Sequence, residues 1–328
     1  MFQVMIKNLF LGLIFTLIII LISFGYLGLK YFPKDALKTL TLLDKKNLFF
    51  ALLSLFSFHT FDTLRVIVLA RALKVRYPLW YGYLVSFVNT FGATVTPAHL
   101  GGELLPLYTL SRRGGHFYQI LTIVTMKGFS GFFFYLLFFP LTIKALLRDP
   151  KQTREFLLIV GSLLFLSLAL FLLYKFLFKR EALFQKNFLS KLKRTIFRYI
   201  ITCKIFFRTK KRDFFLALML SLGLYFSFLS VGIFLVRAFN PSGDILEIFL
   251  DQLPLLYAIF ISPTPGGSGV GEFGALPIFS PYLPEESLGL FVMLWRILSQ
   301  YLSAFLGGII FLVLVITDYK KRHAQGSP

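Results

Sequence analysis

The sequence predicts an all-α, polytopic membrane protein, and three observations carry that expectation. Of 328 residues, 57% are hydrophobic and only 15% charged, against about 25% charged in ordinary soluble domains. Uninterrupted apolar runs recur at the length that crosses a bilayer, about 20 residues at 1.5 Å rise per residue. Proline and glycine gather at two places inside otherwise apolar sequence. Soluble enzymes, DNA-binding modules and secreted disulfide scaffolds are thereby excluded. Cys203 is the only cysteine, which leaves no intrachain disulfide and no thiolate metal cluster.

Taken in order, residues 9–29 form the first run. It is longer than the apolar core of a signal peptide, and Lys30-Tyr31-Phe32-Pro33 follows it instead of a small-residue cleavage site, so a retained helix is expected. Further spans are 48–70, 117–143, 156–178, 214–238 and 288–316. Two stretches differ in kind. Residues 79–95 run into Thr96-Pro97-Ala98-His99-Leu100-Gly101-Gly102-Glu103, and residues 245–262 into Pro263-Thr264-Pro265-Gly266-Gly267-Ser268-Gly269-Val270-Gly271-Glu272. The apolar pieces beyond, 104–110 and 273–280, are too short to cross alone. Such dense proline and glycine breaks a helix, and the freed backbone groups cannot face lipid. Each stretch is expected to be a helix with a broken end or a re-entrant hairpin within a bundle of about six full spans.

Charge orients the chain. The formal net charge is +20, which in a membrane protein marks loops facing anionic lipid. Residues 179–212 hold twelve Lys and Arg and one acid, Glu181. This segment and the tail Lys320-Lys321-Arg322 are expected in the cytoplasm. If each broken segment returns to its own side, the N-terminus, 71–78, Arg112-Arg113, 179–212 and the tail share the inner face. Loops 30–47, 144–155, 239–246 and 281–287 then lie outside. The first hairpin enters from the cytoplasm and the second from outside, making 48–143 and 214–316 inverted copies joined by 144–213 within one membrane domain, 1–328. Spacing supports a duplication. Thr96-Pro97 and Thr264-Pro265 are 168 apart, as are Gly101 and Gly269, while Glu103 and Glu272, like Lys127 and Arg296, are 169 apart. Inverted repeats with discontinuous helices meeting at mid-depth are a plan of secondary transporters.

The two Thr-Pro…Glu segments and the basic amphipathic connector between the halves resemble the lysylphosphatidylglycerol synthase transmembrane, flippase-like family. The resemblance covers roughly residues 10–316. His99-Leu100 stands where the family is glycine-rich, and Met126-Lys127 where it often has Glu-Arg. The resemblance implies lipid translocation between leaflets of the inner or plasma membrane. Only twelve residues follow Ile316, so a stand-alone member without the soluble aminoacyl-transferase domain, and no enzymatic lysyl transfer, is expected.

Charges within the apolar runs are the candidate site. A lone charge at the bilayer centre costs at least ~2.5–3.5 kcal/mol, so Glu103 with Lys127, and Glu272 with Arg296, are candidate partners. Pro97, His99, Gly101 and Gly102 in the first break, and Pro265, Gly266, Gly267, Gly269 and Gly271 in the second, would add bare backbone N–H groups and helix starts. Together these suit a lipid phosphate, with Arg296 able to bind it bidentately. The alternative is that both pairs only neutralise each other and hold the hairpins. His59, Asp62 and Arg65 share one helix face. With Glu247 and Asp251, Asp62 and Arg65 form either a proton or ion relay or a set of salt bridges and mouth residues.

Gly269-Val270-Gly271-Glu272-Phe273-Gly274 satisfies G-x-G-x-x-G, but a nucleotide site would need a preceding strand. No phosphate-binding loop motif and no metal-ligand spacing occurs, so no cofactor or metal is expected. Phe188, Leu192, Ile196, Tyr199, Cys203 and Phe207 recur at helical spacing among basic residues, a pattern suited to an anionic membrane surface. The expected partners are anionic, aminoacylated or polyprenyl-phosphate-linked lipids and no nucleic acid. A homodimer is compatible with the sequence. An ion-coupled transporter of a small solute and an accessory subunit of cell-envelope lipid synthesis are the alternatives.

Overall fold

The computed structural model describes residues 2–177 and 186–325, and among them it contains helices and connections but no strand. In order these are α1 (Phe2–Lys30), α2 (Ala36–Leu42), α3 (Lys45–Ala72), α4 (Leu79–Val95), α5 (Leu100–Ser111), α6 (Phe117–Arg148) and α7 (Pro150–Leu177). They continue with α8 (Lys186–Thr209), α9 (Lys211–Phe239), α10 (Ile245–Ile261), α11 (Val270–Phe279), α12 (Glu285–Arg296) and α13 (Leu302–Gln325). The protein is an all-α polytopic membrane protein. Among the described residues, five helical stretches are long and apolar enough to span a bilayer: Leu11–Lys30, Lys45–Ala72, Phe117–Arg148, Lys211–Phe239 and Glu285–Lys321. The last joins α12 to α13 through a π-helical turn, Ile297–Tyr301.

Helix ends differ from the sequence reading in ways the local chemistry explains. The lysine-rich segment 30–47 contains α2, and the Asp44 carboxylate caps α3 by accepting the Lys46 N–H. Residues 144–155 are barely a loop. Asp149 alone separates α6 from α7, and Pro150 opens α7, a position where a missing N–H costs nothing. In the basic connector, 179–185, including Lys179, Arg180 and Glu181, lies outside the described residues.

Helices α3 and α9 form an antiparallel pair at the centre. The Asp44 N–H donates to the Ala238 carbonyl at 3.0 Å, Phe58 meets Phe228 with ring centroids 6.1 Å apart, and Arg65 reaches Ser221 at the other end. Around this pair the halves pack crosswise. Helix α4 runs along α13, where His59 of α3 also inserts, and α10 runs along α6, where Tyr135 stacks on Phe260 at 4.4 Å.

Each broken stretch reverses the chain. In the first, the Tyr81 hydroxyl donates to the Thr109 carbonyl at 2.7 Å near the hairpin's base. Near its tip Gly92 and Gly101 touch so closely that a Cβ on Gly101 would lie 2.3 Å from the Gly92 oxygen. In the second, Asp251 accepts from the Tyr282 hydroxyl at 2.5 Å at the base, and Leu255 covers Gly274 further in. Both tips lie against the middle of the bundle. Thr16, halfway along α1, reaches the Thr94 carbonyl at 3.3 Å, and about two turns on α1 packs Phe24 against Tyr301. The basic residues Arg71, Lys74, Arg76, Arg112 and Arg113 gather where α3 and α5 end. The C-terminal part of α13 joins them there, because Asp318 binds Arg112 at 2.8 Å.

Candidate functional site

The two tips are built alike. After Pro97, Ala98 and His99 adopt left-handed backbone at φ 50° and 58°; after Pro265, Gly266 and Gly267 do so at φ 59° and 64°. Proline fixes the first residue of a single tight turn, and the pair of left-handed residues redirects the chain into α5 or α11. The turns touch. The Ala98 N–H donates to the Pro263 carbonyl at 3.3 Å, and Gln300 Nε2 in the π turn donates to Thr94 Oγ1 at 3.1 Å.

Each tip carries its acid on the first turn of the returning helix, against a base from the final helix of its own half. Lys127 Nζ lies 3.1 Å from Glu103 Oε1 and donates to the Gly102 carbonyl at 3.1 Å. Arg296 Nε donates to Glu272 Oε1 at 3.0 Å, and Nη2 reaches the Gly266 carbonyl at 3.2 Å. The second Glu272 oxygen accepts the Gly269 N–H at 2.6 Å, closing the helix start with its own side chain. Gly271 leaves the room that the guanidinium occupies, since a Cβ there would lie 2.8 Å from Arg296 Cζ.

The halves differ in exposure. Glu272 and Arg296 are both 0% exposed, whereas the Glu103 side chain is 43% exposed and Lys127 11%. Pro97, Ala98, Leu100 and Leu104 around Glu103 are also exposed, while Pro265 to Glu272 is buried throughout. His99 is half-buried with Nδ1 unpartnered, and Arg296 Nη1 and Glu103 Oε2 are buried without a hydrogen bond.

The remaining candidates fall elsewhere. Asp62 and Arg65 form a buried pair at 2.5 Å, extended through Ser221 to Ser130. His59 places Nδ1 3.0 Å from Ser86 and Nε2 2.7 Å from Ser303, tying α3 to α4 and α13. Glu247 pairs with Arg148 at the surface, and Asp251 with Tyr282. Glu247 and Asp251 are therefore not brought to Asp62 and Arg65. Gly269 to Gly274 opens α11 rather than following a strand. On α8, among described side chains, Tyr199 bonds Thr125 and Phe206 is buried, so that end packs on the bundle.

Sequence reasoning missed Tyr301. Its hydroxyl donates to Glu272 Oε1 and accepts from Arg296 Nη2 at 3.2 Å, completing a buried acid–phenol–guanidinium cluster. It reaches both because the π turn inserts one residue into the helix and resets its register.

A family model described as the lysylphosphatidylglycerol synthase TM region matches residues 9–307. The chain belongs to that family. It is also similar to a UPF0104 membrane protein of Archaeoglobus fulgidus, 22% identical over 271 residues that cover 77% of this chain and 82% of the relative. In this member of the lysylphosphatidylglycerol synthase transmembrane family, the matched region contains both tips, both charge pairs and the π turn.

Proposed function

We propose that the protein moves an anionic, aminoacylated or polyprenyl-phosphate-linked lipid between leaflets, without converting it chemically, by alternating exposure of two inverted hairpins. The observation that carries this reading is the unequal exposure of two like-built charge pairs. In an inverted repeat the two halves exchange conformations as the protein changes its open side. A half-open first pair beside a sealed second pair is one member of such an exchange. The antiparallel α3–α9 pair and the crosswise packing of each hairpin on the other half's final helix support treating 48–143 and 214–316 as the repeats.

At the open tip, a headgroup phosphate would compete with Glu103 for Lys127, and an aminoacyl ammonium would compete with Lys127 for Glu103. Exposed Leu100 and Leu104 beside the pair give acyl chains an apolar path along which only the headgroup need leave water. That lateral opening favours a lipid over a small solute. The clustering of Arg71, Lys74, Arg76, Arg112 and Arg113 at one end supports an inner or plasma membrane location with that end and both termini cytoplasmic.

The test is a leaflet-accessibility assay in vesicles containing purified protein and labelled phosphatidylglycerol, its lysyl form or a polyprenyl phosphate. Wild type should accelerate exchange of at least one lipid. Glu103→Gln and Arg296→Lys should each slow it at least tenfold while the protein stays folded. Wild-type rates in both variants, or uptake of a soluble solute with no lipid movement, would overturn the reading.

A further inference from the structure

A surface hollow lies at the basic end, where α3 stops. It is an open depression of about 560 Å3 lined by Arg71, Arg76 and Tyr77. The turn that forms it is held firmly. The Leu73 N–H donates to the Ala70 carbonyl at 3.1 Å, Lys74 N–H to Arg71 at 3.0 Å and Val75 N–H to Ala70 at 2.9 Å, with Lys74 at φ 64°. Gln119 Nε2 of α6 fixes the Leu73 carbonyl at 2.9 Å, and Val75 and Tyr77 are buried in the cluster that includes Phe206 of α8. Arg71 and Arg76 therefore project from a pinned turn rather than a loose loop.

Both arginines are exposed, and neither forms an ion pair among the described residues. Tyr77 is only 7% exposed, and its hydroxyl is buried with no hydrogen-bond partner among the described residues. Burial pushes that hydroxyl up from its ordinary range, which keeps it protonated and a donor. A buried donor left unsatisfied is costly, and beside two unpaired guanidinium groups the missing partner has the chemistry of an oxyanion. Two guanidinium forks and a phenol suit the several acceptor oxygens of a phosphate. The turn sits one residue before Pro78 and Leu79, where exposed Trp80 begins the hairpin, and Arg113 stacks over Tyr81 at 4.0 Å. Tryptophan and basic residues at a helix start mark the headgroup depth of a bilayer.

We infer that Arg71, Arg76 and Tyr77 form a phosphate-binding site that holds the headgroup of an anionic lipid at the membrane surface, separate from the Glu103 and Glu272 pairs. It does not depend on the transport reading, because Arg71, Arg76 and Tyr77 lie apart from both charge pairs.

The test is a binding titration on the purified full chain in detergent, using soluble dioctanoyl-phosphatidylglycerol, dioctanoyl-phosphatidylcholine and inorganic phosphate. Phosphatidylglycerol should bind most tightly, and Arg71→Gln and Arg76→Gln should each weaken it about tenfold. Tyr77→Phe should weaken it severalfold, and Arg76→Lys less than Arg76→Gln. Arg148→Gln, at the exposed pair with Glu247 on the opposite end, should leave this affinity unchanged, which separates the site from a general loss of positive charge. Inorganic phosphate binding as tightly as the lipid would overturn the headgroup assignment. Wild-type affinity in both glutamine variants, with thermal unfolding showing them folded, would overturn the site itself.

Discussion

Ala98 and Gly266 hold the same left-handed backbone, φ 50° and 59°, at matching places in two turns 168 positions apart. Glycine adopts this conformation freely, whereas a residue with a Cβ is strained by roughly 1–2 kcal/mol. Ala98→Gly is therefore expected to raise the thermal midpoint by a few degrees in a scanning-fluorimetry melt. Gly266→Ala is expected to lower it, since a Cβ would lie 2.3 Å from Gln300 Nε2 and 3.0 Å from Thr94 Cα. Equal melts for Ala98→Gly and wild type would show that the first turn relaxes without cost.

Glu272→Gln should destabilise the protein by about 3–5 kcal/mol, because it leaves the Arg296 guanidinium buried without its counter-charge. Glu247→Gln, which breaks the exposed pair with Arg148, should cost about 1 kcal/mol or less. Denaturant unfolding in mixed micelles measures both. A comparable loss from the two would mean that water reaches Arg296.

Tyr301→Phe keeps the ring against Phe24 but removes the hydroxyl that bridges Glu272 and Arg296. A loss of about 1–3 kcal/mol is expected from the two partners it strands. Lipid exchange in the same vesicles should also slow.

His59→Ala removes the side chain that reaches Ser86 and Ser303 and stacks on Phe87 at 4.0 Å. Because it joins three helices, hydrogen–deuterium exchange should quicken in α3, α4 and α13 together. His59→Gln should restore part of the protection by keeping one of the two hydrogen bonds. Faster exchange confined to α3 would contradict the joint.

Much of this was legible in the chain because proline, glycine and charge are out of place in apolar sequence. The breaks at Pro97 and Pro265 and the acids at Glu103 and Glu272 declare themselves, and a base 24 residues beyond each acid suggests its partner. Tyr301 gives no such signal, being one of 15 tyrosines, and its role depends on a π turn that hydropathy does not encode. The contacts of His59 with Ser303 and of Ser221 with Ser130 were equally hidden. Serine is tolerated anywhere in a membrane helix by bonding its own preceding turn, so its sequence position says nothing of its tertiary partners. The short α2 and the one-residue corner at Asp149 were lost for another reason, since charged segments between spans read as loops whether or not they coil.

The seam between the two tips is mechanically weak. Across it run the Ala98–Pro263 backbone bond and the Gln300–Thr94 bond, each worth roughly 0.5–1.5 kcal/mol net. The ionic ties at the tips stay within each half, Lys127 to Glu103 and Arg296 to Glu272, while the Arg112–Asp318 pair joins the first hairpin to α13 at the basic end. Sliding one tip past the other would thus rupture weak links at mid-depth and spare the ionic pairs there, like a zip whose teeth are sewn firmly to separate cloths and meet only lightly.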